Sequence, residues 1–236
     1  MNKEITTVVV NKSKLANDKH AVPSSIGILQ ELDHPNIAKL VEFGETEDAF
    51  QFGYQISSQV SLYQHVCEHG RIEEDKMTGY VRSMLQTIKY LHDRNLVHCH
   101  LNTSSFVLNE KGIVLAEFDR ARILQDDNDT LSGIYGVKNY IAPEIYQEQP
   151  YGKPIDMWAL GTIVFASLCG YHPFWQNEVA EDLLNAMVNE AYSFDDRYWK
   201  DISQEAKDFI RCCLNPNPEE RITAEQALNH PWFSGN

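Results

Sequence analysis

The chain has 236 residues, a formal net charge of −14, 43% hydrophobic residues and 23% charged residues. That length and apolar content permit one well-filled domain and exclude a disordered chain. The acidic balance excludes nucleic acid and anionic membrane surfaces as main partners, and the five scattered cysteines fit neither a disulfide framework nor a zinc pattern.

The N-terminus has no secretory signal, and the longest apolar stretch, 158–170, is too short to span a bilayer. A reducing, cytoplasmic setting is therefore expected. Residues 5–11 are rich in Thr and Val, which suits a strand. Ser24 to Leu32 reads as a short helix with Pro23 at its first turn, where a missing N–H costs nothing. Strands are expected at Ala38 to Phe43 and Ala49 to Gln55, joined by the turn-prone run 44–48. Beyond residue 73 helices dominate. Met77, Val81, Met84, Leu85, Ile88 and Leu91 recur at three- and four-residue steps, the mark of a long amphipathic helix. Two short strands are expected at Ser105 to Asn109 and Gly112 to Ala116, as a hairpin around Glu110-Lys111. Ile155 to Cys169 is apolar nearly all round and should be a buried central helix. Ala206, Phe209, Ile210 and Cys213 mark another helix, and Thr223-x-x-Gln226 is a capping box for a last one ending near His230-Pro231.

Several linked motifs follow one another in the helical half. They are Ala142-Pro143-Glu144, then Asp156-Met157-Trp158-Ala159-Leu160-Gly161, then Gly170-Tyr171-His172-Pro173-Phe174. Tyr198 to Ser203 comes next, and Asn217 to Arg221 runs into His230-Pro231-Trp232. In this order they resemble the large lobe of a protein kinase, closest in flavour to the calmodulin-dependent protein kinase group. The resemblance implies an α+β, bilobal protein kinase-like fold. Residues 1–57 would be a small β-rich N-lobe lacking its first two strands, and 58–236 a larger, mainly helical C-lobe. It also implies structural roles. Glu144 pairs with Arg221, Asp156 holds the catalytic-loop backbone, and Leu29, Leu40, His98 and Phe118 stack as an apolar spine.

Phosphoryl transfer needs the phosphates positioned, their charge neutralised and the accepting hydroxyl oriented. The resemblance places the family's phosphate-binding Lys at Val8 and its Glu partner at Ser25. No glycine precedes Gly27, so no glycine-rich loop is seen. In the loop His98-Cys99-His100-Leu101-Asn102-Thr103-Ser104-Ser105, the family's base Asp is His100, its Lys is Asn102 and its metal-binding Asn is Ser105. The metal-binding triplet reads Glu117-Phe118-Asp119, with Glu117 the one retained ligand. A vestigial adenine pocket would involve Thr6, Tyr54, Gln55, Ser57 and Val107. In the segment from Glu117 to Glu144, Thr130, Ser132 and Tyr135 are potential phosphorylation sites.

The expectation from these losses is a catalytically inactive pseudokinase, not an enzyme, that binds no nucleotide, cofactor or metal and works as a protein-binding scaffold or allosteric partner. The alternative is a residual or atypical ATP-dependent transferase, Ser/Thr kinase-like, that uses the degenerate cleft with His100 as base. Expected partners are proteins covering the Thr6–Asn11 strand edge. No nucleic acid, no membrane and no calmodulin-binding tail are expected for this chain, and its setting would be cytoplasmic, within a larger cytoskeletal or signalling assembly.

Overall fold

Exposure alternates residue by residue along β1 (Ile5–Asn11), as it must in a strand with one face on a core. In the computed structural model, residues 5–13, 21–56, 60–110, 112–126, 128–134, 136–175 and 179–234 are described, 21–25 by backbone alone. Strand β1 pairs antiparallel with β3 (Ala49–Gln55), Thr6 opposite Tyr54 and Val8 opposite Phe52. The other edge of β3 pairs with β2 (Lys39–Glu45), where a bulge between Leu40 and Glu42 shifts the register. The order is β1-β3-β2, which leaves β1 at an edge among the described residues, with Ile5 and Val9 exposed. Central β3 needs Gly53, because a Cβ there would lie 2.8 Å from the Glu42 Cβ. Helix α1 (Ala21–Glu31) packs against β2 with Ile26 and Leu29 buried, and it begins earlier than Pro23 suggests.

The helical lobe starts with α2 (Leu62–His69), which the apolar pattern did not predict. Its entry is a full capping box between Ser61 and Gln64. Helix α3 (Glu74–His92) buries the periodic face from Met77 to Leu91. The short strands β4 (Leu96–Val97), β5 (Phe106–Asn109), β6 (Gly112–Leu115) and β7 (Arg122–Ile123) pair as β4-β7 and β5-β6. Helix α4 (Pro143–Tyr146) precedes α5 (Pro154–Cys169), in which every residue from Ile155 onward is buried. Then come α6 (Ala180–Val188), α7 (Asp196–Trp199), α8 (Gln204–Cys213) and α9 (Ala224–Ala227). The expected last helix is present but shorter, and a further turn follows its expected end. Helix α9 opens with the Thr223–Gln226 box, and a separate 3-10 turn covers Pro231–Phe233 with the His230 side chain as its cap.

The architecture is α+β in two lobes, a small sheet-rich one and a larger helical one. No helix among the described residues is long and apolar enough to cross a membrane.

Candidate active site

The loop 98–105, between β4 and β5, is hung from one buried carboxylate. Asp156, in the first turn of α5, accepts the His98 N–H at 2.9 Å and the Cys99 N–H at 3.1 Å. Its Oδ2 also lies 3.0 Å from His92 Nε2. This bracket holds Cys99 in the left-handed region, at φ +62°.

His98 is fully enclosed. Its Nδ1 accepts the His100 N–H at 3.3 Å, which leaves the proton on Nε2, 3.3 Å from the Ala116 carbonyl oxygen. Burial lowers its pKa to about 4, so the ring is neutral at neutral pH. The His98 and Phe118 rings stand 5.0 Å apart, and Leu29 and Leu40 are buried in the same core.

Asn102 and Ser105 are spent on folding the loop. Asn102 Nδ2 donates to the His100 carbonyl and to Ser105 Oγ, both at 2.9 Å, while its Oδ1 accepts the Ser104 N–H at 2.8 Å. Ser105 Oγ donates to the His100 carbonyl at 3.0 Å. Thr103 Oγ1 and Tyr140 OH, 2.9 Å apart, tie the loop to the turn before α4.

Across the floor, Glu117 is also left-handed, at φ +64°. Next to it the Phe118 N–H donates to Tyr54 OH at 3.0 Å, so central strand β3 reaches into the site. Asp119 Oδ1 lies 3.8 Å from His100 Nδ1, and Asp119 Oδ2 lies 3.5 Å from Arg120 Nε. The first distance is an ion-pair distance and too long for a hydrogen bond. Burial pushes the Asp119 pKa up, but His100, Arg120 and His98 outweigh it and hold the carboxyl below its usual range. Glu117 goes the other way. Burial first, and Asp119 second, raise its pKa against the opposing pull of His100.

The structure therefore brings His100, Glu117 and Asp119 together, while Val8 sits on β1 opposite Phe52. Thr6, Val8 and Val10 form the half-buried face of β1. Lys12 is engaged elsewhere. Its Nζ lies 2.6 Å from Glu45 Oε1 and over the Phe50 ring. Tyr54 and Val107 are buried and Gln55 is half-buried. Ser25 sits in the backbone-only part of α1, and Ser57 lies outside the described residues, as does Tyr135. Thr130 and Ser132 are exposed. Glu144 is bonded to Arg221 at 2.7 and 2.9 Å. Two contributors escaped the sequence reading. Asp119 had one signal, an acid in place of a glycine in the Glu-Phe-Asp triplet. His92 had none, since nothing local links it to Asp156.

The protein kinase domain pattern matches residues 2–233. A calcium/calmodulin-dependent protein kinase of Metarhizium anisopliae is 36% identical over 232 residues, 97% of this chain and 60% of its own length. Calcium/calmodulin-dependent protein kinase cmkA of Emericella nidulans is 34% identical over 236 residues, 98% of this chain and 57% of its own. Calcium/calmodulin-dependent protein kinase type I of Schizosaccharomyces pombe is 33% identical over 240 residues, 99% of this chain and 71% of its own. The chain thus spans somewhat more than half the length of the first two.

These relatives overturn the expectation of a catalytically inactive pseudokinase and, with it, the expectation that the chain is not an enzyme. Each is named as a protein kinase, and each match runs through the whole cleft. The physical reason is that substitution has not emptied the cleft. An imidazole and two carboxylates still meet on its floor. With the domain pattern matched almost end to end and these relatives of the calcium/calmodulin-dependent group beside it, the chain belongs to the protein kinase domain family.

Proposed function

We propose that the chain is a protein kinase-type transferase that moves the terminal phosphoryl group of ATP to a Ser or Thr hydroxyl, using an altered set of residues. The observation that carries this reading is the His100–Asp119 pair on the cleft floor, 3.8 Å apart, where the family places its catalytic base. Nδ1 of His100 faces the Asp119 carboxylate, which leaves Nε2 to take the hydroxyl proton. The carboxylate then stabilises the imidazolium that forms. General-base help of this kind is worth roughly 10²–10⁴-fold.

The family implies a divalent cation, and the donor set suits one. Glu117 and Asp119 offer hard oxygen ligands, and Glu117, whose pKa is raised first by burial and then by Asp119, is the carboxylate that a bound cation would favour in its charged form. When bound, such an ion neutralises charge on the transferring phosphoryl group. Val8 brings no charge to the phosphates, so charge neutralisation rests on the cluster and turnover would be slow. A cytoplasmic site of action accords with five free thiols.

The test is transfer from radiolabelled ATP, with magnesium or manganese, to a Ser/Thr peptide library. The wild-type chain should label peptides. His100→Ala should lower the rate by about 10²-fold or more, and Asp119→Asn should lower it as well. No labelling by the wild type, or equal labelling by all three proteins, rejects the reading.

A further inference from the structure

A cavity of about 270 Å³ opens on the helical lobe between the C-terminal turn of α3, the start of α5 and the segment 218–225 that leads into α9. Its wall carries charge of both signs, sorted by depth. The basic residues Lys89, His92, Lys153 and Arg221 are all buried or half-buried, whereas the acidic Asp93, Glu219 and Glu225 are all exposed. Charges on a partly dehydrated wall act through a lower effective dielectric than charges on a wet rim. Arg221 is spent on Glu144 and His92 lies against Asp156, so Lys89 and Lys153 are the cations that the wall offers to a ligand. Between the charges Pro154, Met157 and Ile222 supply an apolar surface.

Two of the basic residues also touch buried carboxylates on other elements. His92 touches Asp156, the carboxylate that accepts the His98 and Cys99 amides. Arg221 holds Glu144, at the start of α4.

We propose that this cavity binds a small organic anion, a carboxylate or phosphate monoester on a short apolar body, and that His92 passes its occupancy to the catalytic loop. Lys89 is the first anchor. Its present partners are rim carboxylates, Asp93 at 2.8 Å and Glu225 at 3.8 Å, with side chains 54% and 76% exposed. Such solvated pairs are weak, so an incoming anion displaces them at little cost. Lys153 is the second anchor, beside Pro154 and Met157, on which the apolar body rests. The volume sits at the small end of the range for ligand sites, which suits a single ring with one anionic group. Ordering the His92 ring fixes Asp156 Oδ2, and with it the two amides that shape the loop.

The experiment uses the full chain with phenyl phosphate and benzoate as probes and uncharged benzamide as control, read by calorimetry and thermal melting. At least one anion should bind saturably and raise the melting temperature, benzamide should not, and the stronger anion identifies the preferred head group. Lys89→Gln and Lys153→Gln should each weaken binding by about tenfold, which assigns the probe to this cavity and not to the cleft. Amide exchange at His98 and Cys99 should slow on binding in the wild type and stay unchanged in His92→Gln. No saturable binding by about 10 mM, equal binding of benzamide, or undiminished affinity in both lysine variants would overturn the site. Binding with no slowing at His98 and Cys99 would overturn the coupling.

Discussion

Arg221 grips Glu144 through two parallel hydrogen bonds of 2.7 and 2.9 Å, with both side chains almost sealed from water. The same guanidinium donates to the carbonyls of Asn215 and Pro154 and lies against the Trp158 ring, 5.1 Å from its centroid. One residue thus joins the segment before α9 to the starts of both α4 and α5. Arg221→Met leaves the Glu144 carboxylate buried without its partner, at a cost of about 3–5 kcal/mol. The double change Glu144→Leu with Arg221→Met should be less damaging than that single one. Urea melts of the three proteins measure the ordering, and equal stability of wild type and Arg221→Met would refute it.

His98 gives stability a pH dependence that can be assigned. Its pKa falls from an ordinary 6.5 to about 4, so between those values the unfolded chain binds more protons than the folded one. The contribution is fully present above 6.5 and is lost as pH falls through about 4, roughly 3 kcal/mol at about 1.4 kcal/mol per unit. His98→Phe should flatten the slope of unfolding free energy over that window, whatever it does to absolute stability. An unaltered slope would place the titration elsewhere.

Glu117 has the opposite sign. A carboxyl whose pKa is raised by folding stabilises most below its unfolded value and loses that contribution as pH rises through the folded one. Glu117→Gln should therefore melt higher than wild type at neutral and basic pH, with the difference vanishing toward acid. Magnesium or manganese should raise the wild-type melting temperature more than that of the variant. Identical metal responses would remove Glu117 from the ligand set.

The packing of α5 on α8 depends on Gly161. A Cβ there would lie 2.7 Å from the Cys213 Cβ and 3.0 Å from Leu214 Cδ2. Both helices are buried at this crossing, so neither neighbour has room to retreat. Gly161→Ala should cost about 1–3 kcal/mol in denaturant melts, against a small gain from helix propensity alone. A stabilised variant would mean that the helices slide apart readily.

Much of the helical lobe is legible from pattern because single physical signals dominate there. Helix α3 declares itself by period, and α5 by being apolar on every side. Helix α2 escapes that reading because only Leu62 in it is fully buried. Its signal is the Ser61–Gln64 cap, not hydrophobicity. The last helix is signalled correctly by Thr223 and Gln226, but His230-Pro231 starts a new turn and does not merely end an old one. The site is legible where it follows a linear motif, as at His100 and Glu117. It is not legible where meaning comes from proximity. Asp119 matters through a histidine nineteen positions earlier, and His92 through a carboxylate on a different helix.

Cys99, in the loop hung from Asp156, and Glu117, just before Phe118, both hold a backbone shape that side-chain-bearing residues seldom adopt. Each such residue costs about 1–3 kcal/mol, which the surrounding contacts must offset. Asp156 does so on one side and the Tyr54–Phe118 bond on the other. The floor is thus a sprung surface clamped at two points. Release of either clamp would relax the backbone and scatter His100, Glu117 and Asp119 together. Warming should accordingly dismantle the cleft floor before the helices beneath it melt, so that loss of the reacting geometry precedes loss of the fold.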